Sequence, residues 1–258
     1  MNNHSFLNEG QPAPHLSVLV PIYNEADNIA PLIHDIRTAL DDQIAYELIY
    51  IDDNSTDTSW TILQEHAKDF KALRLIRHQK TYGQSIAILT GIKAAQADWI
   101  VTLDGDGQND PADIPRLLAV LQNPERPLQL VMVAGVRRFR HDNRLKRLSS
   151  RIANSIRHRL LHDNTRDTGC GLKLFSRKAF LALPHFNHMH RFLHALFLRE
   201  GGQVISIEVN HRPRQHGKSK YGLFDRLWVG ITDLLGVMWL QRRAVKAEMI
   251  EEAQQHDQ

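Results

Sequence analysis

Three acidic clusters, PIYNE (21–25), IDDNSTD (51–57) and LDGDGQNDP (103–111), each follow a short apolar run, and this repetition is the strongest chemical signal in the chain. In the third cluster Asp104 and Asp106 stand two residues apart, so an extended backbone aims both carboxylates the same way, while Gly105 and Gly107 let another group approach closely. Hard oxygen ligands with open positions suit Mg²⁺ or Mn²⁺ held jointly by the protein and a substrate diphosphate, with Gln108 as a neutral ligand or hydrogen-bond donor. An ordinary Asp-Gly turn is the plainer use of the same residues. Asp110 followed by Pro111 reads as a helix N-cap with proline at the first helical position. In the second cluster the adjacent Asp52 and Asp53 point to opposite faces of a strand, so one enters a pocket and the other orders the turn before a helix over 58–69, with Asp57 as its N-cap. A carboxylate there could accept hydrogen bonds from the edge of uracil or guanine, or from a ribose.

The elements that must position these clusters follow from hydrophobic period. LSVLVPIY (16–23), YELIYID (46–52), LRLIRH (73–78), DWIVTLD (98–104) and LQLVMVAGV (128–136) read as buried strands. Between them, Ile29, Leu32, Ile33, Ile36 and Leu40 share one helical face, and Ile86, Leu89 and Ile92, continuing through 93–97, mark another. The alternation gives an α/β fold with a mostly parallel central sheet and helices on both faces, in which ligands sit at the carboxyl ends of strands. After about residue 136 the pattern changes to a basic helix over 144–161, a short strand at 172–175, helices near 177–183 and 190–200, and a strand over 203–212.

Composition narrows the function classes. With 258 residues, 42% of them hydrophobic and 24% charged, the chain has the balance of a folded globular protein and not of a disordered or fibrous one. The single cysteine, Cys170, cannot form an internal disulfide and fits a reducing compartment. Residues 1–14 have neither a cationic nor an apolar segment of a secretory signal and read as a flexible lead. One domain is expected over 15–222, followed by an amphipathic helical segment and polar tail over 223–258. Asp225, Arg226 and Asp233 interrupt the apolar stretch Leu223 to Leu240, which argues against a membrane crossing; it either packs on the domain or lies in a lipid interface.

The net charge is only +3, yet residues 137–166 hold ten Lys or Arg against Asp142 and Asp163. Arg137 and Arg138 end a strand, and Arg144, Arg147 and Arg151 form a helical stripe beside Leu145, Leu148, Ile152, Ile156 and Leu160. Such a helix serves an ordinary surface or meets anionic lipid. A nucleic-acid binder would also use a basic patch, but no recognition module accompanies it and the acidic strand ends would go unused.

PIYNE, IDDNSTD, LDGDGQNDP, DTGCGLKLF (167–175) and RQHGKSKYG (214–222), in this order over residues 16–222, resemble family 2 glycosyltransferases. More narrowly they are similar to the branch that transfers sugars to polyprenyl monophosphates, as in dolichol-phosphate mannosyltransferases and undecaprenyl-phosphate glycosyltransferases. The resemblance implies a GT-A fold and an inverting displacement that moves a sugar from a UDP-sugar or GDP-mannose. It implies that Pro21, Tyr23, Glu25, Asp53 and Gly105 contact the nucleotide and that Asp104, Asp106 and Gln108 hold Mg²⁺ or Mn²⁺. It also implies that Lys173, Arg214 and Lys220 lie at the donor phosphates, and that Arg137, Lys146, Arg147 and Ser150 hold the acceptor phosphate. Asp106 and Arg137 are expected to matter most for the reaction. The partners implied are a nucleotide-sugar donor, a polyprenyl phosphate lipid, a membrane surface met peripherally on its cytoplasmic face, and no nucleic acid. Many relatives carry transmembrane helices after the catalytic domain; this sequence departs from that pattern, which leaves room for a separate membrane protein. A glycosyltransferase acting on a saccharide in cell-envelope polysaccharide synthesis is the alternative, and it would need a base carboxylate near the acceptor.

A phosphate monoester has a second pKa of about 6, so its oxygen is already largely deprotonated at neutral pH and needs cations more than a base. The histidines of HFNHMHRFLH, with His190 and His194 four apart, raise a zinc site, but HExxH is absent and apolar neighbours favour a packed helix. Cys170 between two glycines reads as a packed small residue.

Overall fold

The computed structural model describes residues 14–137, 157, 159–161, 163, 167–213 and 223–243, with side chains in the last helix from residue 230. Its first half alternates strands and helices: β1 (Leu16–Ile22), α1 (Ala26–Leu40), β2 (Tyr46–Asp52), α2 (Ser59–Asp69), β3 (Leu73–Arg77), α3 (Gln84–Ala94) and β4 (Trp99–Thr102). A 3₁₀ turn (Pro111–Asp113), α4 (Ile114–Gln122) and β5 (Leu130–Arg137) follow. Then come β6 (Lys173–Ser176), α5 (Arg177–Leu181), a 3₁₀ turn (Met189–Arg191), α6 (Leu193–Arg199), β7 (Gln203–Val209) and α7 (Leu223–Arg242).

The strands form one seven-stranded sheet in the order β3-β2-β1-β4-β6-β5-β7. The sheet is mostly parallel, as the alternation requires, with β6 antiparallel to both β4 and β5. β2 and β3 are added on one side of β1 and β4 on the other, parallel to it, and a crevice opens at the carboxyl ends of strands at such a switch point. The period of two decides the layers. Val18, Val20 and Ile22 of β1 face α1, α2 and α4, whereas Leu19 faces the layer that holds α3, α5, α6 and α7.

The α1 face read from sequence is buried as expected. In α3 the buried residues are Ser85, Ala87, Ile88, Gly91 and Ile92, while Lys93 is exposed. The shift from the 86–89–92 face has a specific cause. A Cβ at Gly91 would stand 2.7 Å from the Ile51 side chain, so the helix approaches the sheet through a residue that contributes nothing to an apolar period. Beyond Ala94 the chain leaves the helix, and Ala95 and Ala97 are buried as connecting backbone. Strand β5 starts at Leu130, and Leu128 is wholly exposed because the chain turns there, Leu130 N–H donating to the Pro127 carbonyl.

Candidate active site

The three acidic strand ends meet at the switch point, but they do different work. Asn24, in the left-handed region at φ 53°, accepts from Thr56 N–H at 2.7 Å through its side-chain oxygen. Glu25 N–H donates to Ser59 Oγ at 3.0 Å, and Glu25 Oε2 accepts from Asn28 at 2.8 Å. The ends of β1 and β2 are thus stitched together before any ligand arrives. Asp57 accepts from Ser59 N–H at 2.9 Å, but the N-cap of α2 is Thr58 and not Asp57 as expected, because the helix begins one residue later, at Ser59. Asp110 caps the 3₁₀ turn, accepting from Ala112 N–H at 3.1 Å.

The adjacent carboxylates of β2 separate as the pleat demands. Asp52, fully buried, accepts from Ser55 N–H at 2.9 Å and pairs with Arg77 at 3.2 Å. Asp53 receives Tyr82 N–H at 2.9 Å, Gly83 N–H at 2.7 Å and His78 Nδ1 at 2.7 Å. It therefore closes the 78–83 loop and fixes the start of α3, where Gly83 sits at φ 90°. Tyr23, Glu25, Asp53 and Gly105 lie around the crevice but outside the wall of the main cavity, whereas Pro21 is in it. Gly105 is needed for close packing: a Cβ there would meet the Ile22 side chain at 2.6 Å.

That cavity, about 550 Å³, lies between the first half of the chain and the 168–173 and 187–193 segments of the second. Asp104 lines it and is gripped by Gln84 Nε2 at 2.8 Å, while its own N–H is held by Asn109 Oδ1 at 2.9 Å. Burial, and then the negative charge of Asp106, push the Asp104 carboxyl above its usual range. Asp106 accepts from Gln108 N–H at 3.1 Å. Gln108 Nε2 donates to the Arg212 carbonyl at 3.4 Å, which leaves its oxygen available as a ligand. Arg212 anchors this loop through Asp35 and, at 2.8 Å, Asp110. No group of three or more His, Cys, Asp or Glu residues among the described residues converges as a metal cage. The donor set is instead two mutually repelling carboxylates and an amide, which fits a cation whose remaining ligands come from a substrate.

The opposing wall is cationic. Lys173 is buried and donates to the Cys170 carbonyl; desolvation holds its ammonium below its ordinary pKa. Arg137 makes a bidentate pair with Asp167 through Nε at 2.6 Å and Nη2 at 2.7 Å. Lys173 and Arg191 line the cavity, whereas Arg137 stands behind its lining residue Gly169. Lys146, Arg147 and Ser150, and likewise Arg214 and Lys220, lie outside the described residues. Cys170 is buried, as its glycine neighbours suggested, and burial pushes its thiol up.

Three side chains that the sequence reading did not single out complete the site. Gln84 braces Asp104, and Asp167 braces Arg137; Asp167 is the one acid in DTGCGLKLF, a signal that was available. Ser85 is the third, its Oγ 2.6 Å from His190 Nδ1 and also receiving His190 N–H at 3.4 Å. Burial, reinforced by Lys173, lowers His190 to about 3, so the ring is neutral at physiological pH. His194 is buried in a different environment, beside Arg157 and Lys173, and is also lowered to about 3 by burial. The two histidines four apart thus sit in different surroundings, His190 on Ser85 and His194 beside Arg157.

A family model described as glycosyl transferase family 2 matches residues 17–183, from β1 through α5. A dodecaprenyl-phosphate galacturonate synthase from Rhizobium johnstonii is 34% identical over 235 residues, covering 88% of this chain and 67% of that protein. An undecaprenyl-phosphate 4-deoxy-4-formamido-L-arabinose transferase from Edwardsiella ictaluri is 32% identical over 210 residues, covering 81% and 63%. The chain thus spans about two thirds of the length of these relatives. Among solved structures, glucosyl-3-phosphoglycerate synthase from Mycobacterium tuberculosis, in complex with Mg²⁺ and UDP, superposes with a TM-score of 0.65 at 18% identity, covering 88% of this chain and 79% of that one. The architecture is the GT-A fold.

Proposed function

The chain belongs to glycosyl transferase family 2, and from that premise we propose that it moves a sugar from a UDP-sugar or GDP-mannose to a polyprenyl monophosphate. The observation that carries this reading is the charge layout of the cavity. Among its described lining residues Asp104 is the one carboxylate, facing Lys173 and Arg191, and the nearby Asp167 is committed to Arg137. A hydroxyl acceptor needs a base to take its proton, whereas a phosphate oxygen arrives deprotonated and needs positive charge around it. In the displacement the phosphate oxygen forms a bond to the anomeric carbon as the bond from that carbon to the donor's diphosphate oxygen breaks. The configuration inverts, and the leaving nucleoside diphosphate keeps the electron pair.

Asp104, Asp106 and Gln108 would hold Mg²⁺ or Mn²⁺ at the switch point. The ion supplies charge neutralisation for the diphosphate. The protein's own contribution is positional: Gln84 orients Asp104, the 210–212 segment pins the loop that carries Asp106, and Lys173 adds a buried cation at the donor phosphates. Pro21 and the stitched ends of β1 and β2 form the floor for the nucleotide.

Peripheral association with the cytoplasmic membrane face belongs to the same reading. No helix among the described residues is long and apolar enough to cross a membrane. In α7, Val237 is buried against the domain, while Ile231, Leu235 and Trp239 are exposed at successive four-residue steps and Arg242 and Arg243 follow. A tryptophan-bearing apolar stripe next to arginines suits a lipid headgroup boundary. Leu235→Ser with Trp239→Ser is expected to lower binding to anionic vesicles several-fold with little change in melting temperature; unchanged vesicle binding counts against it.

The deciding experiment supplies a panel of labelled nucleotide sugars with Mg²⁺ or Mn²⁺ and undecaprenyl phosphate. Label entering the organic phase with the wild type and not with Asp106→Ala is the expected result. Nucleotide release without lipid product would overturn the lipid acceptor in favour of a saccharide.

A further inference from the structure

The cations in and around the cavity differ in what they already hold. Lys173 donates to a carbonyl, Arg137 gives two bonds to Asp167, and Arg157 pairs with buried Asp163. Among the described residues the Arg191 guanidinium has no hydrogen-bond or ion-pair partner. It nevertheless stands among like charges: its field adds to the burial that lowers both Arg157 and His190. Among the described residues this guanidinium lines the cavity with no carboxylate at hydrogen-bond distance and with other cations nearby, so its planar fork is available to an anion.

Its placement is determined by its neighbours. Arg191 ends a 3₁₀ turn whose first residue, Met189, is buried in the core, and Phe192 just after it is buried too. Between them His190 is fastened to Ser85 by side chain and backbone. The turn is thus held on both sides of Arg191, whose side chain lines the cavity together with those of His188 and His190. On its outer side α7 passes at Gly230, where a Cβ would stand 3.7 Å from Arg191 Nη2. The donor diphosphate already has a place at the opposite strand ends, with Asp104, Asp106 and Lys173.

We propose that Arg191 holds the phosphate of the acceptor, its planar fork taking two oxygens of the monoester and setting the third toward the anomeric carbon. This rests on the reading of the protein as a polyprenyl-phosphate glycosyltransferase. Arg137 then acts from its pair with Asp167 as a second, less available cation of the same pocket.

The test is steady-state kinetics of the full chain in detergent without a bilayer. Acceptors are undecaprenyl phosphate and farnesyl phosphate, and donors are an uncharged nucleotide hexose and its uronic-acid counterpart. Arg191→Gln is expected to raise the KM for both acceptors roughly 10- to 100-fold, the worth of one charge-assisted hydrogen-bonding group, with the donor KM within about twofold. Arg191→Lys, which keeps charge without the fork, is expected to fall between. Since KM does not depend on the folded fraction, a loss of stability cannot imitate this pattern.

An unchanged acceptor KM in Arg191→Gln overturns the proposal while leaving the lipid-phosphate reading intact. So does a rise confined to the uronic-acid donor, which would make Arg191 the partner of a sugar carboxylate. Absence of lipid product from the wild type with every donor would overturn both.

Discussion

The two halves of the active site treat their charges in opposite ways. On the nucleotide side Asp52, Asp53, Asp57 and Asp110 are each bound by backbone N–H groups or basic side chains, so the acidic strand ends are largely scaffolding. Only Asp104 and Asp106 are set against one another. On the side proposed for the acceptor, among the described residues, Lys173 is held by a carbonyl and Arg137 and Arg157 by carboxylates while Arg191 has no such partner, and two histidines are buried neutral. The lesson is that abundance of charge does not locate function here. The groups that mark the candidate site are those set against a like charge or in the cavity wall: Asp104, raised by burial and by Asp106, and the lining cations Lys173 and Arg191.

Asp106→Ala sharpens this comparison most. It is expected to lower transfer by at least about 100-fold, the usual worth of a preorganised electrostatic group, while the melting temperature holds or rises because Asp104 loses a repelling neighbour. Product assays and thermal melts on the same preparation check both; a large fall in melting temperature would place Asp106 with the scaffolding carboxylates.

Arg137→Ala is next, and removes one partner of a nearly buried pair. It should destabilise by about 3–5 kcal/mol, read by urea unfolding, and reduce activity far more than His190→Ala. Adding Asp167→Ala should recover much of the stability but not the activity. Recovery of both would reduce the pair to structure alone.

Asp53→Asn tests the other side. Its carboxylate receives two backbone N–H groups and His78, so substitution is expected to cost about 2 kcal/mol and loosen the 78–83 loop, seen as faster amide exchange at Tyr82 and Gly83. Full stability together with a raised nucleotide KM would move Asp53 from scaffold to ligand contact.

The smallest effect is on pH. His190 and His194 titrate near 3 in the folded chain, against an ordinary 6.5 when unfolded. Between those values the unfolded chain binds protons that the folded one refuses, so stability falls as pH drops below about 6.5. By pH 5.5 each ring should have cost about 1 kcal/mol, and His194→Leu should flatten the acid limb of the stability profile by that amount. An unchanged limb would mean that the rings stay solvated.

Much of this was legible in residue spacing. The strands, the α1 face, the Asp110 cap and the paired aspartates of LDGDGQ are local patterns, fixed by periods of two and 3.6 and by backbone groups a few residues away. The α3 face was not, because its closest approach to the sheet is made by Gly91, invisible to any hydrophobic pattern. The pairing of Arg137 with Asp167 was not legible either, because a partner thirty residues away cannot be read from its own neighbourhood.

The sequence by itself determined the order of elements, the acidic strand ends and the basic character of the second half, since side-chain type and period act over one or two turns. Which charges remain available was decided only by the tertiary structure. Asp53 is consumed by a loop, Arg137 by Asp167, and His190 by Ser85 across 105 residues, whereas Arg191 is left facing the cavity. Compensation of charge depends on distance in space and on burial, and neither is set until the sheet brings the two halves together.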